Sequence, residues 1–154
     1  MRAVPMEQLY ALMEQKLVQG GSVVLPVTGV SMYPMLAHQR DSVTLCAANS
    51  AKKGELIFFR RENGSFVLHR VVRVLADGEY LCCGDNQHEP ERVVDSQILA
   101  VVTEFTRNGK VYPVDAPGYQ AYVTVWGWLF PVRRPLLAAR RVCGKVRRKL
   151  NKSR

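Results

Sequence analysis

The chain has 154 residues, of which 47% are hydrophobic and 23% charged, and its formal net charge is +9. This length is enough for one domain with a hydrophobic core, and the composition is that of a globular protein rather than a disordered one. Ten of the 22 Lys and Arg residues, and none of the 13 Asp and Glu residues, fall in residues 133–154. The rest of the chain is therefore near neutral, and the basic tail favours an anionic partner surface.

The first predicted element is an amphipathic helix over residues 5–18, where apolar residues recur at helical spacing before Gly20 and Gly21. Seven strands follow, and they are predicted over residues 22–27, 42–46, 55–61, 65–75, 79–83, 97–107 and 110–114. Turns containing Asn, Asp and Gly join several of them as hairpins, and residues 84–95 are predicted to be a polar loop. The pattern predicts a mainly β fold, a small coiled antiparallel β-barrel.

The end of the chain changes character after a hinge at residues 113–118. Residues 119–130 are aromatic and apolar, and residues 136–150 alternate apolar and basic side chains at the spacing of an amphipathic helix. We therefore divide the chain into an N-terminal helix (1–21), a β domain (22–115) and an aromatic, basic tail (116–154). The tail favours an anionic membrane surface over nucleic acid, while packing of the aromatics on the barrel is the alternative.

Targeting segments and cofactor sites are not expected. The sequence has no signal-peptide core and no apolar window of transmembrane length, so we expect a peripheral membrane or cytoplasmic protein. The four cysteines lack the spacing of a zinc site and are expected to be buried or half-buried thiols. His88 with Asp85 and Glu89 is too short a cluster to predict a metal site.

Four polar residues follow one another in an order that suggests hydrolysis. Ser31 comes first, then His69, and then Asp85 and Asp95. A hydroxyl is a poor nucleophile until a neighbour accepts its proton, and a histidine of near-neutral pKa can do so. Either aspartate could orient the imidazole, so the residues favour a serine peptidase.

Short motifs around these residues resemble type I signal peptidases over roughly residues 22–103. Gly-Val-Ser-Met-Tyr-Pro, ending at Pro34, resembles the nucleophile box of that family, and Gly54-Glu55-Leu56 resembles the strand start that follows it. Leu68-His69-Arg70-Val71 is similar to the archaeal and endoplasmic-reticulum branch, in which histidine replaces lysine as base. Gly84-Asp85-Asn86 and Asp95-Ser96 resemble two further boxes.

The resemblance implies an endopeptidase that cleaves precursor or leader peptides after small residues. It implies a Ser31–His69 dyad, an acyl-enzyme and no metal or cofactor, with Asp95 preferred over Asp85 as the orienting acid. The Ser31 backbone N–H is the expected first oxyanion donor; the second stays open, since Gly29 stands where many bacterial enzymes have serine.

The apolar residues beside the nucleophile are expected to line the substrate groove, with core packing as the alternative; they are Met32, Tyr33 and Met35. Substrate would bind extended, as an added strand. Lys52 and Lys53 are less suitable bases, because lysine of ordinary pKa is protonated at neutral pH.

Two other functions remain open on the sequence. One is a self-cleaving regulator of the SOS-repressor type, for which Cys143-Gly144 is a candidate bond. The other is a non-catalytic module that binds membrane or nucleic acid on the same barrel.

Overall fold

The computed structural model of the chain describes residues 6–76 and 78–139, and it contains eight strands and two long helices. Helix α1 is Met6–Val18 and helix α2 is Pro117–Trp128; a 3-10 turn (Phe130–Val132) and helical residues 133–139 follow α2. The strands are β1 (Ser22–Pro26), β2 (Ser42–Ala47), β3 (Leu56–Arg60), β4 (Phe66–Val74), β5 (Glu79–Cys83), β6 (Glu91–Val94), β7 (Ile98–Arg107) and β8 (Lys110–Pro113). Strands hold 37% of the described residues and helices 27%, so the predicted mainly β fold with an N-terminal helix is confirmed.

The eight strands form one antiparallel sheet in the order β1-β2-β7-β3-β4-β5-β6, with β8 paired to β7. The register shifts in β2, β3 and β4, as in β-bulges, which bend a strand and increase its twist. Since β1 and β6 remain at the ends of this order, the sheet is not closed and the predicted barrel is not confirmed.

Strand β3 shows how the sheet builds two cores. Leu56 and Phe58 belong to one buried cluster, whereas Ile57 and Phe59 belong to another. Successive side chains of a strand point to opposite faces, so a strand buried on both faces is apolar throughout. The first cluster also contains Met13 and Leu17 of α1, which covers that face.

The predicted polar loop over residues 84–95 is wrong in its last third, because residues 91–94 form β6 against β5. Val93 is fully buried in the second cluster, and this burial stabilises a short strand that polar neighbours conceal in the sequence. The other predicted strands are present with their ends shifted by one residue or so.

The end of the described chain is helical, and Tyr119 of α2 packs on Phe105 of β7 with ring centroids 4.9 Å apart. Pro131 lies in the 3-10 turn that separates α2 from the helical residues 133–139. Of the basic helix predicted over 136–150, only residues 136–139 are described; Cys143, Gly144 and the remainder lie outside. No helix within the described ranges is both long and apolar enough to cross a membrane.

Candidate active site

Ser31 lies in the loop between β1 and β2, and apolar anchors hold this loop in place. Met32, Met35 and Leu36 are buried in the first core cluster. Gly29 has a φ of +79°, which glycine adopts without strain, and its N–H donates to Nδ1 of His38 at 2.9 Å. The loop is thus fixed on both sides of Ser31, which is itself half-buried.

The Gly84-Asp85-Asn86 turn braces the same loop from the end of β5. The backbone N–H of Asn86 donates to the carbonyl of Ser31 at 2.7 Å, and its side-chain amide donates to the carbonyl of Val30 at 3.1 Å. A Cβ on Gly84 would lie 2.6 Å from the Ser31 carbonyl oxygen. Only glycine therefore fits between this turn and the Ser31 loop.

Ser31 and His69 line one cleft of about 590 Å³. Strand β4 positions His69, and the loop after β1 positions Ser31. The cleft walls are mostly apolar and include Leu9 of α1, Met32 and Phe66. Thr28, Arg61 and Gln87 supply most of the other polar groups. The structure therefore brings the predicted nucleophile and base to the same apolar cleft.

His69 is 2% exposed, and its nearest acid is Glu91, at the start of β6. The Nδ1 atom lies 2.9 Å from Oε1 of Glu91, a distance at which charges attract, but the two are poorly aligned for a hydrogen bond. Burial lowers the pKa of His69 below its ordinary 6.5, and this effect outweighs the opposing charge of Glu91. The imidazole is therefore neutral at pH 7, the state that can accept a proton.

Glu91 is held by Arg61 through two hydrogen bonds of 2.7 Å, from Nε and Nη2. Burial alone would raise the pKa of Glu91, but the hydrogen bonds from Arg61 and the proximity of His69 lower it. The carboxylate therefore stays ionised beside a neutral imidazole.

Asp85 does not contact His69 but forms a buried ion pair on the opposite face of β4. Arg70 donates from Nε and Nη2 to its two oxygens, both at 2.8 Å, and Tyr122 donates to Oδ2 at 3.0 Å. Arg70 also donates to the carbonyl of Gly54 and to the hydroxyl of Tyr119. Asp85 acts on His69 only as a more distant charge.

Asp95, the preferred orienting acid of the sequence, is placed elsewhere. It follows β6 and accepts a hydrogen bond of 2.6 Å from the hydroxyl of Tyr80. The structure thus differs from the prediction for both aspartates, and Glu91 occupies the position expected of them. Which carboxylate lies beside His69 depends on the pairing of β5 with β6, in which Glu91 is opposite Cys82. In the sequence, the adjacent valines of Glu-Arg-Val-Val are the one feature that favours a strand, and the polar residues around them conceal it.

The remaining predicted residues divide between surfaces. Met32 lines the Ser31 cleft, whereas Met35 lines a separate cavity with Phe105 and Tyr119. Tyr33 is 40% exposed and is not among the residues of that cleft. The exposed Lys52 and Lys53 line a third cavity, away from Ser31.

Two of the cysteines in the part of the chain that the structure describes, Cys82 and Cys83, are buried free thiols. Burial raises the pKa of Cys82 to about 12 and that of Cys83 to about 11, which suppresses thiolate formation. No three His, Cys, Asp or Glu side chains among the described residues group as metal ligands would.

Comparison with known proteins leaves the cleft geometry as the main guide to function, because no family model and no curated protein matches this chain.

Proposed function

We propose that the protein is a serine endopeptidase in which Ser31 is the nucleophile, His69 the general base and Glu91 the orienting carboxylate. The observation that carries the proposal is the shared cleft of Ser31 and His69, in which the imidazole is neutral and its Nδ1 faces Glu91. The motif resemblance to type I signal peptidases supports the same nucleophile and base.

We infer a role for each ring nitrogen of His69 from the position of Glu91. With Nδ1 facing an ionised Glu91, the ring proton lies on Nδ1, and Nε2 is the nitrogen that can accept the Ser31 proton. Glu91 then stabilises the imidazolium once it forms. Arg61 restrains the carboxylate, so it is a positioning residue.

The proposed reaction has two stages, acylation of Ser31 and hydrolysis of the acyl-enzyme. The Ser31 oxygen adds to the scissile carbonyl carbon while its proton passes to His69. Collapse of the tetrahedral intermediate breaks the C–N bond, and the imidazolium protonates the leaving amine. Water, deprotonated by His69, then attacks the ester, releases a carboxylic acid and restores Ser31.

The proposed substrates are precursor or leader peptides bound in an extended conformation. The apolar cleft suits a peptide with uncharged residues near the scissile bond, since a buried charge without a partner is costly. The Ser31 backbone N–H is the proposed first oxyanion donor, and Thr28 lines the same cleft.

The test is cleavage of a panel of Ala-x-Ala precursor peptides, in the presence of lipid vesicles, by the wild type and by Ser31→Ala and His69→Ala. Both variants should lose at least about 10³-fold in kcat/KM while remaining folded. Ser96→Ala and His88→Ala are the matched controls and should keep wild-type rates. Intact-mass measurement after acid quench should detect an acyl group on the wild type and none on Ser31→Ala.

Three outcomes would contradict parts of this proposal. Cleavage retained by His69→Ala would assign the base elsewhere, and cleavage retained by Ser31→Ala would exclude the nucleophile. Failure of the wild type across the whole panel would exclude this substrate class. Cys143-Gly144, the candidate bond for self-cleavage, lies outside the described residues.

A further inference from the structure

Residues 117–139, the C-terminal segment, have apolar side chains on two faces. The inner face contacts the sheet: Tyr119 packs its ring on Phe105 and accepts a hydrogen bond from Arg70, while Tyr122 donates to Asp85. Arg133 and Leu137 are also buried. These contacts fix which face of the segment is turned away from the protein.

Four large apolar side chains of the segment are exposed, two in α2 and two beyond it, and we call them the outer stripe. Their exposed fractions are 51% for Val125, 79% for Trp128, 50% for Val132 and 47% for Leu136. Scattered exposed apolar residues are ordinary, but a tryptophan and three aliphatic residues exposed within residues 125–136 mark an interaction surface. The inner contacts prevent the segment from turning the stripe inward.

Charge identifies the partner that this surface fits. No acidic residue follows Asp115, and residues 133–154 hold ten Lys and Arg residues. Exposed apolar side chains that include a tryptophan and are followed in the sequence by unopposed positive charge match a bilayer interface with anionic headgroups. A nucleic acid would use the positive charge but would gain little from Val132 and Leu136.

We propose that the outer stripe inserts into the interfacial layer of an anionic membrane, with the basic tail contacting the headgroups. Because the inner face is held by the protein, the segment lies along the membrane surface. The proposal does not depend on catalysis, so Ser31→Ala should bind vesicles as the wild type does.

The test is cosedimentation of the full chain with vesicles of phosphatidylcholine containing phosphatidylglycerol. The double variant Val132→Ser/Leu136→Ser should weaken binding by about tenfold or more. The matched control, Val24→Ser/Val111→Ser, removes two similarly exposed valines from strands and should change binding less than about twofold. Pure phosphatidylcholine vesicles, or high salt, should weaken wild-type binding by at least about tenfold.

Fluorescence tests insertion directly. In Trp126→Phe the sole tryptophan is Trp128, and its emission should shift to shorter wavelength when anionic vesicles are added. Brominated lipids should quench it. Unshifted emission, or binding unchanged by Val132→Ser/Leu136→Ser, would overturn the proposal; so would binding to RNA that competes fully with vesicles and ignores the outer stripe.

Discussion

His69 and Arg70 are neighbours in β4, and each meets a carboxylate, but on opposite faces of the strand and in opposite ways. Arg70 and Asp85 are both buried and are joined by two aligned hydrogen bonds of 2.8 Å. His69 lies 2.9 Å from Glu91, whose side chain is 29% exposed, and the contact is poorly aligned. The first pair is a buried ion pair held by two hydrogen bonds, whereas the second contains a neutral base that can take up a proton.

This difference assigns the two pairs to different tasks. The Arg70–Asp85 pair joins β4, α2 and the turn that braces the Ser31 loop. The desolvation of two buried charges cancels much of the Coulomb attraction between them, so this pair acts mainly by fixing the positions of the elements that it joins. Removing one partner is strongly destabilising, because the other charge is then buried and unpaired. His69 lines the Ser31 cleft and can take up a proton during a reaction, whereas Glu91 lines a second pocket that shares Arg61 and Gln87 with this cleft.

Breaking the buried pair should have the largest effect on stability. Asp85→Ala leaves the Arg70 guanidinium buried without its carboxylate, and we expect the free energy of unfolding to fall by about 3–5 kcal/mol. Urea denaturation measures the loss, with the exposed Glu62→Ala as control within about 0.5 kcal/mol.

Should Asp85→Ala not fold, the double variant Arg70→Met/Asp85→Leu keeps the prediction testable. It removes both charges and should recover more than half of the loss. A loss below about 1 kcal/mol for the single variant would mean that the pair is not structural.

Changing the other carboxylate should affect the rate rather than the fold. Glu91→Gln keeps the size of the side chain but removes the charge that stabilises the imidazolium, so kcat/KM should fall roughly 10²-fold. The free energy of unfolding should change by less than about 1 kcal/mol, because this acid is partly exposed. Since Glu91 raises the His69 pKa, the acid limb of the rate profile should move to lower pH.

The control for that variant is Glu89→Gln, at a neighbouring acid whose side chain is 86% exposed. Unchanged rates for Glu91→Gln, or the same loss in both variants, would exclude Glu91 as the orienting acid.

The hairpins and the candidate pair of Ser31 and His69 could be predicted from the sequence, but the carboxylate that meets His69 could not. Alternating apolar residues and Asn-Gly turns predict the hairpins, and the order of Ser31 and His69 predicts a dyad of two residues that line the same cleft. Whether Asp85, Glu91 or Asp95 meets the imidazole depends on the register of β5 and β6, which no local pattern encodes. The open sheet is likewise a matter of long-range pairing.

Gly84 directly precedes Asp85 and lies against the Ser31 loop, so a side chain at this position should displace Ser31. In Gly84→Ala the added Cβ would meet the Ser31 carbonyl oxygen, and backbone has little room to move. We expect a loss of about 1–3 kcal/mol in the free energy of unfolding, together with a lower kcat. Thermal unfolding and peptide cleavage measure both effects.

Gly127→Ala is the matched control for that variant. Gly127 lies in α2, and an added methyl group would have nothing within 4 Å of it, so alanine should be neutral or stabilise by up to about 1 kcal/mol. Equal effects at the two glycines would contradict the conclusion that the Gly84-Asp85-Asn86 turn holds the Ser31 loop in place.

The pH dependence of stability should report the His69 side of the comparison. Its folded pKa is lower than the unfolded value near 6.5, so the unfolded chain binds the proton more readily. This contribution is fully present above pH 6.5 and is lost as the pH falls through the folded pKa. Each unit of lowering corresponds to about 1.4 kcal/mol, measurable by urea denaturation at several pH values. His69→Gln should flatten this part of the profile, and a profile identical to the wild type would contradict the assignment.

The smallest expected effect concerns a third buried cation. Arg133 is 1% exposed and lies over the rings of Trp126 and Phe130, yet among the described residues it has no carboxylate such as Arg70 has. Only Nη2 donates, to the carbonyl of Trp126, while Nε and Nη1 lack a hydrogen-bond partner in the described part of the chain. The ring contacts offset part of the cost of burying this charge. Arg133→Met should therefore raise the free energy of unfolding by about 1 kcal/mol, whereas Arg70→Met should lower it by several. Urea denaturation of the two variants in parallel measures the contrast, and a loss of stability in Arg133→Met as large as in Arg70→Met would mean that an aromatic cage can replace a carboxylate.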